Sequence, residues 1–194
     1  MSTALSRERQ LALVVATPLL VAVACATTGA GKLQTTSGPE QRFSMVGNGI
    51  ETTAIISKDG AQGPSVDLGR YDNGATIRGT VNNRPFQLSV DQAGGTATGQ
   101  ASQGPITLNV AETNDQFTCT GLVGRPSNIT ISREKINGTI GVCSYELVRS
   151  GEVYSGSRSC AGGISPVTVT FPPSILEWKP INICVLMAVL MSTP

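Results

Sequence analysis

Residues 79–90 read GTVNNRPFQLSV, and residues 99–110 read GQASQGPITLNV. Residues 121–131, GLVGRPSNITI, form a third copy, one residue shorter. Gly79, Gly99 and Gly121 keep step with Pro85, Pro105 and Pro126, at spacings of 20 to 22 residues. Gly63-Pro64 with Val66-Asp67-Leu68 is a degenerate earlier copy, and Pro166 with Val167-Thr168-Val169 a late one. Behind each proline, apolar and polar residues alternate: Phe86, Leu88 and Val90 against Gln87 and Ser89, then Ile106, Leu108 and Val110 against Thr107 and Asn109. A period of two marks a strand with one buried face. Phe117, Cys119, Gly121 and Val123 share one parity, and helical spacing is absent between residues 40 and 171.

Turn chemistry separates the strands. Asp72-Asn73-Gly74, Asn82-Asn83, Gly94-Gly95, Gln103-Gly104, Asn137-Gly138 and Ser150-Gly151 supply residues that tolerate tight reversals. Each unit therefore reads as two short strands. Such a unit cannot bury its own face, so units must stack or close. The expected fold is all-β: an antiparallel up-and-down meander of about ten strands, built of ~20-residue hairpin repeats and closed into a barrel or flattened sandwich. Closure removes exposed edges; a single-layer solenoid is the alternative. Gly79, Gly99 and Gly121 fall inside strands on the apolar side. They are expected to lie side by side and to curve the sheet.

The ends of the chain differ from the middle. Arg7 and Arg9 precede the apolar run Leu11–Ala24, which contains Pro18 and ends Ala22-Val23-Ala24-Cys25. A positive segment, a short apolar run and small residues before a cut site predict a secretory signal over 1–24. The run falls short of the ~20 residues a spanning helix needs. A cysteine directly after small residues resembles the lipobox of bacterial lipoprotein precursors, although the family prefers Leu where Ala22 stands. The resemblance implies that Cys25 is lipidated and becomes the mature N-terminus. With Ala26 and not Asp in the next position, it also implies anchoring in the cell envelope at the outer membrane. Residues 25–41, rich in Thr, Gly and Ser, read as a flexible tether. The β-repeat domain is then 42–171, followed by an apolar extension over 172–194. Its run Ile181–Met191 is read as a final core strand, with a GPI-type tail as the eukaryotic alternative.

Composition excludes several chemistries. The chain has no histidine, the commonest general base and transition-metal ligand. It carries 14 basic and 13 acidic residues and 4% aromatics, which leaves no footprint for nucleic acid. Thr28-Gly29-Ala30-Gly31-Lys32 lacks the remainder of a phosphate loop. Ser132-Arg133-Glu134-Lys135 matches the S-x-x-K of penicillin-binding enzymes, but both companion motifs are missing and a hairpin end explains it. Asn128 and Asn137 open glycosylation sequons that matter only in a eukaryotic host. No calcium loop or zinc spacing exists. No metal or cofactor is expected, and no catalysis.

Beside Cys25, four cysteines remain: Cys119, Cys143, Cys160 and Cys184. In an exported chain an even number reads as disulfides, with three possible connectivities. Cys143–Cys160 is the first choice, because a turn at Ser150-Gly151 joins their strands, although a hairpin centred there does not set them opposite. Arg84 and Arg125 recur at one place in the repeat and would form a weak basic rim at one barrel end. The expected role is a lipid-anchored envelope module that binds a protein or glycan partner through this rim or its polar strand faces (Gln87, Ser89, Thr107, Asn109, Thr130). A carrier of a small apolar ligand inside the barrel is the alternative: a pocket lined by Phe86, Leu88, Ile106 and Leu108 favours it, and a filled interior favours the structural reading. A secreted hydrolase is a disfavoured third.

Overall fold

The structure, a computed structural model, describes residues 42–102, 104–113 and 115–192. Cys25, the 1–24 leader, the 25–41 tether and Gln103 lie outside the described residues. Fourteen strands follow one another: β1 (Arg42–Gly47), β2 (Ile50–Ser57), β3 (Gly60–Gly63), β4 (Val66–Tyr71), β5 (Thr76–Val81), β6 (Arg84–Asp91), β7 (Thr96–Ala101), β8 (Gly104–Thr113), β9 (Gln116–Val123), β10 (Pro126–Ser132), β11 (Lys135–Ile140), β12 (Cys143–Ser150), β13 (Val153–Cys160) and β14 (Gly163–Thr170). Each pairs antiparallel with its neighbours in sequence, and β14 returns to β1 through Ser44↔Thr170 to Gly47↔Val167, closing the barrel. The strand number corrects the expected ten. Strands β1 and β2 carry no copy of the repeat motif, yet they complete the ring.

The alternating residues face as the pattern requires. Phe86, Leu88 and Val90 are buried, whereas Gln87 and Ser89 are exposed. On the outside of β7 to β11 one row crosses five strands with no charge: Thr96, Asn109, Thr120, Asn128 and Thr139. An apolar interior under a polar exterior is the reverse of a membrane-spanning barrel, whose outer band faces lipid.

The in-strand glycines explain the curvature in a way the repeat only half revealed. They are not side by side. Gly79, Gly99 and Gly121 sit on β5, β7 and β9, joined by Gly138 on β11 and Gly156 on β13. Between them the even strands place bulk: Gly79 pairs with Leu68 and Phe86, Gly99 with Leu88 and Ile106, Gly138 with Ile129 and Tyr145. At each, the neighbouring strand comes too close for a side chain. A Cβ on Gly121 would lie 1.9 Å from the Thr107 carbonyl oxygen, and its φ of +141° is one that L residues avoid. Gly121→Ala is therefore expected to destabilise the barrel by at least about 2 kcal/mol, read by urea unfolding. A neutral outcome would show that the close approach is dispensable.

The C-terminal segment is a helix and not a strand. A 3-10 turn (Pro173–Glu177) leads into α1 (Pro180–Met191), with Pro180 in the first turn, where a missing N–H costs nothing. All eleven residues from Ile181 to Met191 are buried. A helix apolar on every side needs an apolar surround, and the barrel interior supplies it. The helix, about 18 Å long, packs on β7, β8 and β9. Its first turn lies by Gly74: the Asn182 amide oxygen, turned toward Arg70, accepts from the guanidinium at 3.2 and 3.3 Å. Its last turn reaches the opposite end, where the Tyr145 hydroxyl donates to the Met191 carbonyl and accepts from Arg158 Nε.

Two disulfides fasten this arrangement. Cys119–Cys184 ties β9 to α1, and Cys143–Cys160 ties β12 to β13. The second is the expected pair. Its hairpin is centred on Gly151-Glu152, with Ser150 opposite Val153, so continuing the ladder sets Cys143 opposite Cys160. Two disulfides are the mark of an oxidising compartment, extracellular or periplasmic. Among the described residues no helix is long and apolar enough to cross a membrane.

Candidate functional site

Strand direction gives the barrel two distinct ends. Even strands finish, and β1 begins, at the end where the chain turns inward as α1. On the β2 to β5 side this mouth is shut. The Ser174 hydroxyl donates to the Ile56 carbonyl, Trp178 Nε1 donates to the Ser57 carbonyl, and the Arg70 guanidinium lies 4.4 Å from the Trp178 ring centre.

The other side of the mouth holds a cavity of about 520 Å³. It exists because α1 lies against β7 to β9 and leaves space toward β10 to β14. Its floor is apolar: Ile183 and Met187 of α1 face Phe117 of β9, Ile131 of β10 and Phe171 just beyond β14. Pro172, Pro173 and Ile175 form a side wall. Phe171 is held between Phe43 and Tyr154, at ring-centre distances of 5.4 and 5.6 Å, spacings at which tilted and edge-to-face rings attract.

The rim is polar: Glu112 and Asp115 near the β8–β9 turn, Arg133 in the β10–β11 turn, Arg149 and Glu152 by the β12–β13 turn. The Tyr154 hydroxyl donates to the Ser132 and Arg133 carbonyls at 2.9 and 3.3 Å. Burial pushes its pKa up, and the nearby Arg149 charge partly opposes this. Arg149 is itself oriented, with Nε donating to the Gly151 carbonyl at 2.7 Å and Nη1 reaching the Arg133 carbonyl at 3.5 Å.

The residues singled out in the sequence lie elsewhere. Arg84 and Arg125 are both exposed at the end remote from the cavity, with β7, β8 and β9 between them. They lie at one end of the barrel and share no site with the cavity. Phe86, Leu88, Ile106 and Leu108 are buried in the packed core and do not line the cavity, which corrects their expected role. Ser132 of the S-x-x-K stretch closes its own hairpin: its hydroxyl accepts from the Glu134 and Lys135 N–H groups and donates to the Lys135 carbonyl. Cys119 and Cys184 hold the helix that forms one cavity wall. Sequence reasoning missed Phe117, Ile131, Tyr154, Phe171, Ile183 and Met187 as a group. The available signal was the placement of Tyr154 and Phe171 late in an aromatic-poor chain, close to an unexplained apolar run.

Fold and cavity together define a closed up-and-down barrel with an internal helix and an apolar recess at its mouth. In comparisons with family models, curated proteins and solved structures, nothing matches this chain.

Proposed function

We propose that the protein is an exported, non-catalytic carrier that holds one small apolar or amphipathic molecule in the mouth cavity. The observation that carries this reading is the recess itself, about 520 Å³ with an apolar floor and a charged rim. Small-molecule sites share that size and that distribution of polarity. Lipidation of Cys25 fits the same picture. The chain enters the barrel at Arg42, the start of β1, at the cavity end.

Filling the cavity tests the reading. Met187→Trp projects a large ring into the recess from the helix. It is expected to weaken binding of the neutral fluorescent probe N-phenyl-1-naphthylamine at least tenfold, a loss of about 1.4 kcal/mol, while thermal unfolding stays cooperative. Unchanged probe binding would remove the cavity as the site. The anchor has its own test: metabolic palmitate labelling is expected in the wild type and absent in Cys25→Ser. Equal labelling of both would remove the anchor and leave the carrier reading standing.

A second reading, a partner-binding envelope module, draws on the uncharged Thr/Asn row outside β7 to β11 and the exposed Arg84 and Arg125. It predicts loss of a protein or glycan partner in the Arg84→Ala, Arg125→Ala double variant with the fold intact.

A further inference from the structure

Resting on the reading of the mouth cavity as a ligand site, we propose that its ligand is an amphiphile with one anionic head, a carboxylate or a phosphate monoester, received by Arg149. The floor sets the first requirement. Ile183, Met187 and Phe171 offer no hydrogen bond, so the inner part of the ligand must be apolar.

The rim sets the second. It holds charges of both signs, but they differ in how they are held. All of them, Arg149 included, are exposed, but among the described residues Glu112, Asp115 and Glu152 have neither an ion pair nor a hydrogen bond to their carboxylates. Arg149 is fixed. Two backbone carbonyls take its Nε at 2.7 Å and its Nη1 at 3.5 Å, which orients the guanidinium, and among the described residues Nη2 has no protein partner. A planar cation already oriented loses less freedom on binding than a mobile carboxylate does. Its charge also reaches inward, because it acts on the half-buried Tyr154 hydroxyl in the cavity wall. An anion at the rim thus meets an oriented donor on the same cavity that carries the apolar floor, and charge-assisted hydrogen bonds of this type are the strong ones.

Displacement of N-phenyl-1-naphthylamine from the full chain, with single-chain competitors below micelle-forming concentrations, tests the proposal. Dodecanoate and dodecyl phosphate are each expected to displace the probe at about tenfold lower concentration than dodecanol, the factor that one charge-assisted hydrogen bond supplies. Dodecylammonium is expected to be no better than dodecanol. Arg149→Met should bring both anions down to the dodecanol value and leave dodecanol itself unchanged, and Arg149→Lys should restore part of the preference. Equal potency of anions and dodecanol in the wild type would overturn the proposal while sparing the cavity, as would tighter binding of dodecylammonium. If neither the probe nor dodecanol binds, the carrier reading fails, and the proposal fails with it.

Discussion

A chain ended at Phe171 is expected not to form the barrel. The truncation removes α1, whose residues Ile181 to Met191 are all buried. Eight of them are large aliphatic side chains: Ile181, Ile183, Val185, Leu186, Met187, Val189, Leu190 and Met191. At about 1.5–3 kcal/mol for each buried side chain, their gross contribution is roughly 12–24 kcal/mol. A typical net stability is about 5–15 kcal/mol. The wall would also lose its partner, since β7, β8 and β9 pack on the helix. Loss of near-ultraviolet dichroism, strong dye binding and rapid proteolysis are the expected signs. Cooperative unfolding of the truncated chain, with native strand content, would show that the wall sustains itself.

The second large effect is expected from the Cys119→Ala, Cys184→Ala pair. This disulfide closes a loop of sequence separation 65, whereas Cys143–Cys160 closes one of 17. The loop-entropy account assigns about 4 kcal/mol to the first and about 3 kcal/mol to the second, by a mechanism that is itself debated. For a chain of this size the first loss lowers Tm by about 10 °C. The larger distinction is positional. Cys143–Cys160 joins neighbours already paired in the ladder, but Cys119–Cys184 holds the helix against β9. Ile183 and Met187 flank the helix cysteine and line the cavity. The Cys119 and Cys184 replacements are therefore expected to alter probe binding as well as Tm, and the Cys143 and Cys160 replacements Tm alone. Scanning calorimetry and probe titration on both double variants read the difference.

Period-two alternation at Phe86 to Val90 and Ile106 to Val110 made the all-β meander legible, because inward and outward positions there differ sharply in polarity. Strands such as β3, with the sequence Gly60-Ala61-Gln62-Gly63, have no such contrast. They are recruited by their neighbours, so a sequence pattern undercounts them. The apolar run at the C-terminus misled for a related reason. Ile181 to Met191 has no polar stripe to display a period, and its Ile and Val content resembles a strand. Its length, beyond a usual strand, and Pro180 at its head were the better guides. The disulfide choice Cys143–Cys160 succeeded because both cysteines flank one hairpin. Cys119–Cys184 depends on threading the helix, which no local pattern encodes. The cavity was illegible for the same reason: its lining runs from Glu112 to Met187 and converges only when the barrel closes around the helix.

The position of α1 after every strand has a consequence for biogenesis. A polypeptide leaves its ribosome, or an export channel, from the N-terminus onward. All fourteen strands are therefore available before the segment that fills them. Until Ile181 to Met191 arrive, the inner faces of the strands have no partner, and the ring has no reason to close at its final bore. Closure and helix entry must then be a single late event, and the emerging strands need shielding in the interval. A chain whose synthesis stopped between β14 and α1 would carry every strand and still be an aggregation-prone product. Quality control acting on this protein would in effect be reading whether Ile181 to Met191 had been made.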